Sequence, residues 1–200
     1  MGDDPEGWSA AGFQVDGASL SIGDVRIELT GPDGPRGIHG WALTEVDPGS
    51  VDGLNTLAAD DGEADPPSPL AHANRVERID HVVVRTPDLE RTVAALEGQG
   101  LEARRRREVP GSDPATVQVF FWAWPAIVEL VGPAEPTGDG PAEFWGLALT
   151  CDDLDAAGAA LGDRLGPAKR AVQPGRRIAA VRTRELDLSV PLALMSPHVP

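Results

Sequence analysis

The sequence predicts an α+β fold built from tandem strand–helix–strand–strand–strand (βαβββ) modules, preceded by an extra N-terminal β-rich partial module. Three observations predict it. Ile79–Pro133 reads as one complete unit, Trp145–Pro197 repeats its beginning and its end, and two fragments of the same pattern, VRIELTGP and GWALTEVD, stand near the N-terminus. Such a repeat bears on the fold because each copy carries an apolar sheet face that it cannot bury alone.

Taken in order, Ala18–Leu20 and Val25–Thr30 read as a hairpin around a turn at Gly23-Asp24. VRIELTGP aligns with the later AIVELVGP, so that Glu28 falls on Glu129, and Gly40–Asp47 matches Gly146–Asp153. Residues 1–58 therefore read as a truncated or permuted βαβββ-like module, the alternative being a chance likeness of two short strand sequences. Residues 48–75 lack periodicity, and the acidic, Pro/Gly-rich stretch 59–75 is expected to be a linker.

Ile79–Val84 is a short apolar run carrying one His, the pattern of a mostly buried strand. Thr86 offers an N-cap oxygen, Pro87 fits the first helical position, and Asp88 and Glu90 suit the positive end of the helix dipole. Leu89, Val93 and Leu96 then share one helical face, and Gly98 and Gly100 end it. Leu101–Val109, Thr116–Ala123 and Ala126–Val131 read as three strands between Pro/Gly turns. In the second copy, Asp153-Leu154 matches Asp88-Leu89, Leu161 matches Leu96, and Val190–Pro197 matches Ala126–Pro133.

IDHVVVRTPDLERTVAAL, the Glu inside IVELVGP and the tandem βαβββ modules resemble the vicinal oxygen chelate superfamily over residues 76–198. That superfamily holds glyoxalase-like enzymes, extradiol dioxygenases, epimerases and bleomycin-resistance-type binding proteins. The resemblance implies that modules 76–133 and 141–198 form a curved, partly open eight-stranded barrel around a cleft. It also implies, in metal-using members, one ligand from the first and one from the last strand of each module. The matching positions are His81 and Glu129 in the first module, a pair suited to divalent Zn, Fe, Mn or Ni. In the second they are Gly146 and Ala193, which cannot ligate through a side chain, so a complete four-ligand site is not expected. Glu28 is the candidate third metal ligand. Glu129 is the candidate for moving protons.

For ligand binding, Trp122, Trp124 and Trp145 offer aromatic walls, and Gln173, Arg176 and Arg177 flank a Pro-Gly turn that can present a guanidinium to a carboxylate or phosphate. The run Arg104–Arg107 would place two Arg on each face of a strand. Cys151 reads as a small packing residue, and His72 and His198 as solvated.

The formal charge of −15 argues against non-specific nucleic-acid binding. A single cysteine, no apolar leader and no membrane-length apolar window point to a cytoplasmic protein. Three functions stay open: a metal-dependent lyase, isomerase or dioxygenase; a sequestering protein for a small organic molecule; or a structural or homodimer-forming module with a vestigial metal site. The reading adopted is a glyoxalase-like protein binding a small organic molecule.

Overall fold

The computed structural model describes residues 1–43, 46–59 and 71–198. A short helix, α1 (Pro5–Ala10), opens behind Asp4, whose carboxylate accepts from the Glu6 amide at 2.8 Å. β1 (Ser19–Ile22) and β2 (Val25–Glu28) form the expected hairpin, with Ser19 opposite Glu28. β3 (Trp41–Ala42), β4 (Gly49–Val51) and β5 (Leu54–Leu57) make a small sheet of order β3-β5-β4. This corrects the aperiodic reading of 48–57. Asp52 and Gly53 turn the chain at φ 49° and 93°, the pair of positive φ angles that an Asp-Gly hairpin turn supplies. Of the expected linker 59–75, residues 60–70 lie outside the described residues, as do 44–45 of the GWALTEVD match.

β6 (Val76–Arg85), α2 (Leu89–Glu97), β7 (Ala103–Glu108), β8 (Thr116–Ala123) and β9 (Ala126–Pro133) form one βαβββ module. β10 (Glu143–Cys151), α3 (Leu154–Leu161), β11 (Lys169–Arg170), β12 (Arg177–Ala180) and β13 (Leu192–Met195) repeat the order. Their strands hydrogen-bond as β11-β12-β13-β10-β6-β9-β8-β7, and β7 and β11 do not pair, so this mixed eight-stranded sheet is not closed. In each module the first strand runs parallel to the last. Val83 stands opposite Glu129 and Ala148 opposite Ala193, which are matching positions of the repeat.

The two helices start alike. Asp88 accepts from the Arg91 amide at 3.1 Å, and Asp153 from the Ala156 amide at 2.9 Å. The cap of α2 is thus Asp88 and not Thr86, whose hydroxyl instead accepts from the Asp88 amide and fixes the approach to the helix. Pro87 accordingly precedes the helix.

The described residues divide into two compact units. The first holds 1–37, 71–80 and 146–198, and the second holds 38–43, 46–59 and 81–145. Residues 1–58, read as one partial module, are therefore shared between the two. In the first unit Trp8, Leu20, Ile22, Leu149 and Leu194 are fully buried, and the Trp8 and Phe13 rings lie 5.1 Å apart. His72 is buried here rather than solvated: Nδ1 accepts from the Gln14 amide at 3.0 Å and Nε2 donates to the Ser21 carbonyl at 2.9 Å. Burial holds its pKa below the ordinary imidazole value. Cys151 is also buried, its thiol donating to the Asn74 carbonyl at 3.4 Å, and desolvation pushes its pKa up to about 11.

In the second unit Leu89 and Leu96 of α2 share a core with Val84, Val119, Phe121, Val128 and Leu130 of the sheet and with Val51 and Leu54 of the β4–β5 hairpin. Each such side chain contributes about 1.5–3 kcal/mol on burial. Asp52, at the hairpin turn, accepts from Arg91 Nε at 2.9 Å and from the Thr92 hydroxyl, which ties the turn to α2.

Candidate functional site

Because the α2 core takes Val84, Val117, Val119, Phe121, Val128 and Leu130, the alternate residues of β6, β8 and β9 face away from the helix. Strand registers set these into three rows. In the first, Arg107 stands opposite Gln118, Gln118 opposite Val131, and Val131 opposite Arg85. The second reads Arg105, Phe120, Glu129, Val83, and the third Trp122, Ile127, with His81 beside Ile127. With strands about 4.8 Å apart, four of them span about 14 Å, the width of a small organic molecule with its flanking side chains.

One polar chain crosses this face. His81 Nε2 lies 2.9 Å from Glu129 Oε2, and each residue is only 8% exposed. Gln118 Nε2 donates to Glu129 Oε1, and Arg107 donates to Gln118 Oε1 through Nε, at 3.0 Å, and through Nη2. Glu129 is therefore held at both oxygens, and the guanidinium charge reaches it through a neutral amide. Bonds in such a chain polarise one another where water is scarce.

Gln118 and Arg107 were not among the sequence-derived site residues. The available signal was the alternation TVQVFFWA, in which Gln118 is the polar member of the strand's non-core face. For Arg107 the alternation of the Arg run offered two pairs, with no signal for which pair faces this way. A bulge between Ala103 and Arg105 resets the pairing of β7, turning Arg105 and Arg107 toward this face while Arg106 bonds Glu90 and Arg104 pairs with Glu102 at 2.9 Å.

The three candidate tryptophans lie in the second unit. Trp122 belongs to the third row and is 54% exposed; Trp124, in the β8–β9 turn, is 71% exposed, with its ring 6.2 Å from that of Trp122. Trp145 carries the Arg85 guanidinium 4.0 Å above its ring, a cation–π contact.

The remaining candidates lie in the first unit and have partners there. Glu28 is exposed on β2 and ion-pairs with Arg26. The Gln173 carbonyl accepts from the Arg176 amide at 3.2 Å, closing the turn. Arg176, 6% exposed, donates from Nη2 to Asp80 Oδ2 at 2.6 Å and from Nε to the Ser196 carbonyl at 2.8 Å, while Thr150 donates to the same Asp80 oxygen at 3.1 Å. Arg177 bonds Asp155 at the surface, and that hydrogen bond holds the Asp155 carboxyl below its ordinary pKa.

A divalent metal, as the resemblance implies, would find His81 Nε2 and Glu129 Oε2 converging on one point. The matching position of the second module is closed rather than vacant: a Cβ on Gly146 would meet the Pro191 carbonyl oxygen at 2.8 Å. Both ends of the Gln118 amide are engaged, and among the described residues no group of three or more His, Cys, Asp or Glu is placed to hold an ion. Catalytic sites usually supply three protein ligands. The two here do not fit that requirement.

The profile of the Glyoxalase/Bleomycin resistance protein/Dioxygenase superfamily matches residues 80–179. Among solved structures, methylmalonyl-CoA epimerase from Mycobacterium tuberculosis is similar at 20% identity over 62% of this chain and 91% of its own, with a TM-score of 0.48. A hypothetical protein from Bacillus halodurans C-125 is similar at 10% identity over 62% of this chain and 96% of its own, TM-score 0.49. A mutant 4-hydroxymandelate synthase from Streptomyces coelicolor is similar at 14% identity over 89% of this chain and 58% of its own, TM-score 0.47. No curated protein matches the chain by sequence.

Proposed function

This chain belongs to the Glyoxalase/Bleomycin resistance protein/Dioxygenase superfamily, and we propose that it binds a small organic molecule on the sheet face of its second unit, over the His81–Glu129 pair. The observation that carries this reading is the pair itself: a buried imidazole and carboxylate 2.9 Å apart on a face whose rim holds exposed tryptophan. Buried polar groups of this kind are costly to build into a sheet, and pockets use a few of them to orient an otherwise apolar ligand.

In this reading Gln118 and Arg107 fix Glu129, Glu129 fixes the imidazole of His81, and Phe120 and Trp122 offer flat apolar surface beside it. A ligand oxygen reaching the pair gains a hydrogen bond in a setting where water competes poorly. Proton transfer is the second reading, favoured by the same geometry, because a base held by a carboxylate is the arrangement general acid–base catalysis uses. A cytoplasmic location and the absence of a nucleic-acid partner remain part of the proposal, on the single cysteine and the −15 charge; no helix among the described residues is long and apolar enough to cross a membrane.

The test is a thermal-shift screen of small organic acids, ketones and aromatics with and without chelator, beside elemental analysis of native protein and Glu129→Ala. A true ligand at a hundredfold excess over Kd stabilises by about 2.7 kcal/mol. Stabilisation that ignores chelator and is lost in His81→Ala is the expected result. About one retained ion per chain, absent from Glu129→Ala, would replace it with metal-dependent chemistry. No stabilisation by any compound overturns the binding reading.

A further inference from the structure

The face that carries His81 and Glu129 is basic in a protein whose net charge is −15. Its three rows hold Arg85, Arg105 and Arg107 against the single carboxylate of Glu129. Each of these cations is placed by the fold rather than by chance of composition. The β7 bulge turns Arg105 and Arg107 onto the face, and the Arg85 guanidinium stands 4.0 Å from the centroid of the Trp145 ring. Arg107 uses Nε and Nη2 on Gln118 and keeps Nη1 for another acceptor. A guanidinium oriented in this way is the group best suited to a planar oxyanion.

Beside these cations stand flat apolar surfaces. Phe120 lies between Arg105 and Glu129 in the second row, and Trp122 begins the third. The Arg107 guanidinium lies 6.0 Å from the Phe120 ring centroid. Cation and ring are therefore adjacent, so one ligand can meet both.

We propose that the ligand of this face is an aromatic carboxylate, its ring against Phe120 and Trp122 and its carboxylate on Arg107, with Arg105 and Arg85 raising the local potential. This rests on the binding reading above and narrows it to a substrate class. A polar oxygen elsewhere on the ring would reach His81, because the third row adjoins the second. The chain's net charge of −15 disfavours an anion at long range, so the local cluster of Arg85, Arg105 and Arg107 is what draws a carboxylate to this face.

Tryptophan fluorescence titration of the full chain with 2-naphthoate, 2-naphthamide, naphthyl phosphate and 2-naphthylamine tests it. Naphthoate should bind at least tenfold more tightly than the amide, weaken as salt is raised, and lose at least tenfold in Arg107→Gln with recovery in part by Arg107→Lys. Equal binding of acid and amide by the native protein overturns the carboxylate class while leaving a binding face, and needs no variant to fold. Tighter binding of the phosphate than of the carboxylate also overturns it, in favour of a phosphoryl ligand. Binding of none of the four, with no hit in the wider screen, sinks the binding reading itself.

Discussion

Replacing Arg176 by Met decides whether that guanidinium holds the fold or serves a ligand. In the structure its side chain is 5% exposed and donates to Asp80 Oδ2 at 2.6 Å and to the Ser196 carbonyl at 2.8 Å. Met fills a similar volume but removes both bonds and takes the positive charge away from a carboxylate that is itself 12% exposed. Breaking a buried ion pair from one side costs about 3–5 kcal/mol, a large share of the roughly 5–15 kcal/mol that holds a domain folded. At about 2–4 °C per kcal/mol for a chain of this size, Tm should fall by about 6–20 °C. Urea denaturation followed by tryptophan fluorescence gives the free energy directly. The double variant Asp80→Asn with Arg176→Met should recover part of the loss, since the buried carboxylate charge is removed along with the guanidinium. A loss under about 1 kcal/mol in the single variant, together with loss of ligand binding, would refute the structural assignment and return Arg176 to the ligand set.

The other predictions concern local features. Asp88→Ala and Asp153→Ala should each lower stability by about 1 kcal/mol, read from denaturant midpoints, because each removes the carboxylate that caps its helix. His72 has a folded pKa below its unfolded value, so the stability it contributes is complete above the unfolded pKa and is lost as pH falls below it toward the folded value. The midpoint of the native protein should accordingly drop more steeply below about pH 6.5 than that of His72→Gln, and parallel curves would contradict the buried neutral imidazole. Cys151, with its thiol raised to about 11 and no exposure, should resist a maleimide at pH 7 and react fully in denaturant.

Much of the architecture was legible in residue order. The βαβββ pattern, its second copy and the β1–β2 hairpin follow from period-two and period-3.6 spacing and from Gly and Pro punctuation, which are local properties. The matched register, Val83 on Glu129 and Ala148 on Ala193, follows the alignment of the repeat. His81 and Glu129 were nameable through the resemblance, which places a ligand on the first and last strand of a module.

What the tertiary structure alone decided concerns partners distant in sequence. Asp52 and Arg91, Asp80 and Arg176, and His72 with Gln14 and Ser21 are joined by hydrogen bonds across long stretches of chain, and no periodicity announces them. The Arg run shows the limit most clearly. Simple alternation puts two Arg on each face, but a bulge after Ala103 selects Arg107 for Gln118 and Arg106 for Glu90. Sequence determines which side chains a strand offers and with what period; the register of its neighbours, set by packing on α2 and by bulges, determines which of them meet. Hence the His81 and Glu129 positions could be named from the resemblance, while the bonds that join Arg107 to Gln118 and Gln118 to Glu129 depend on register and could not be.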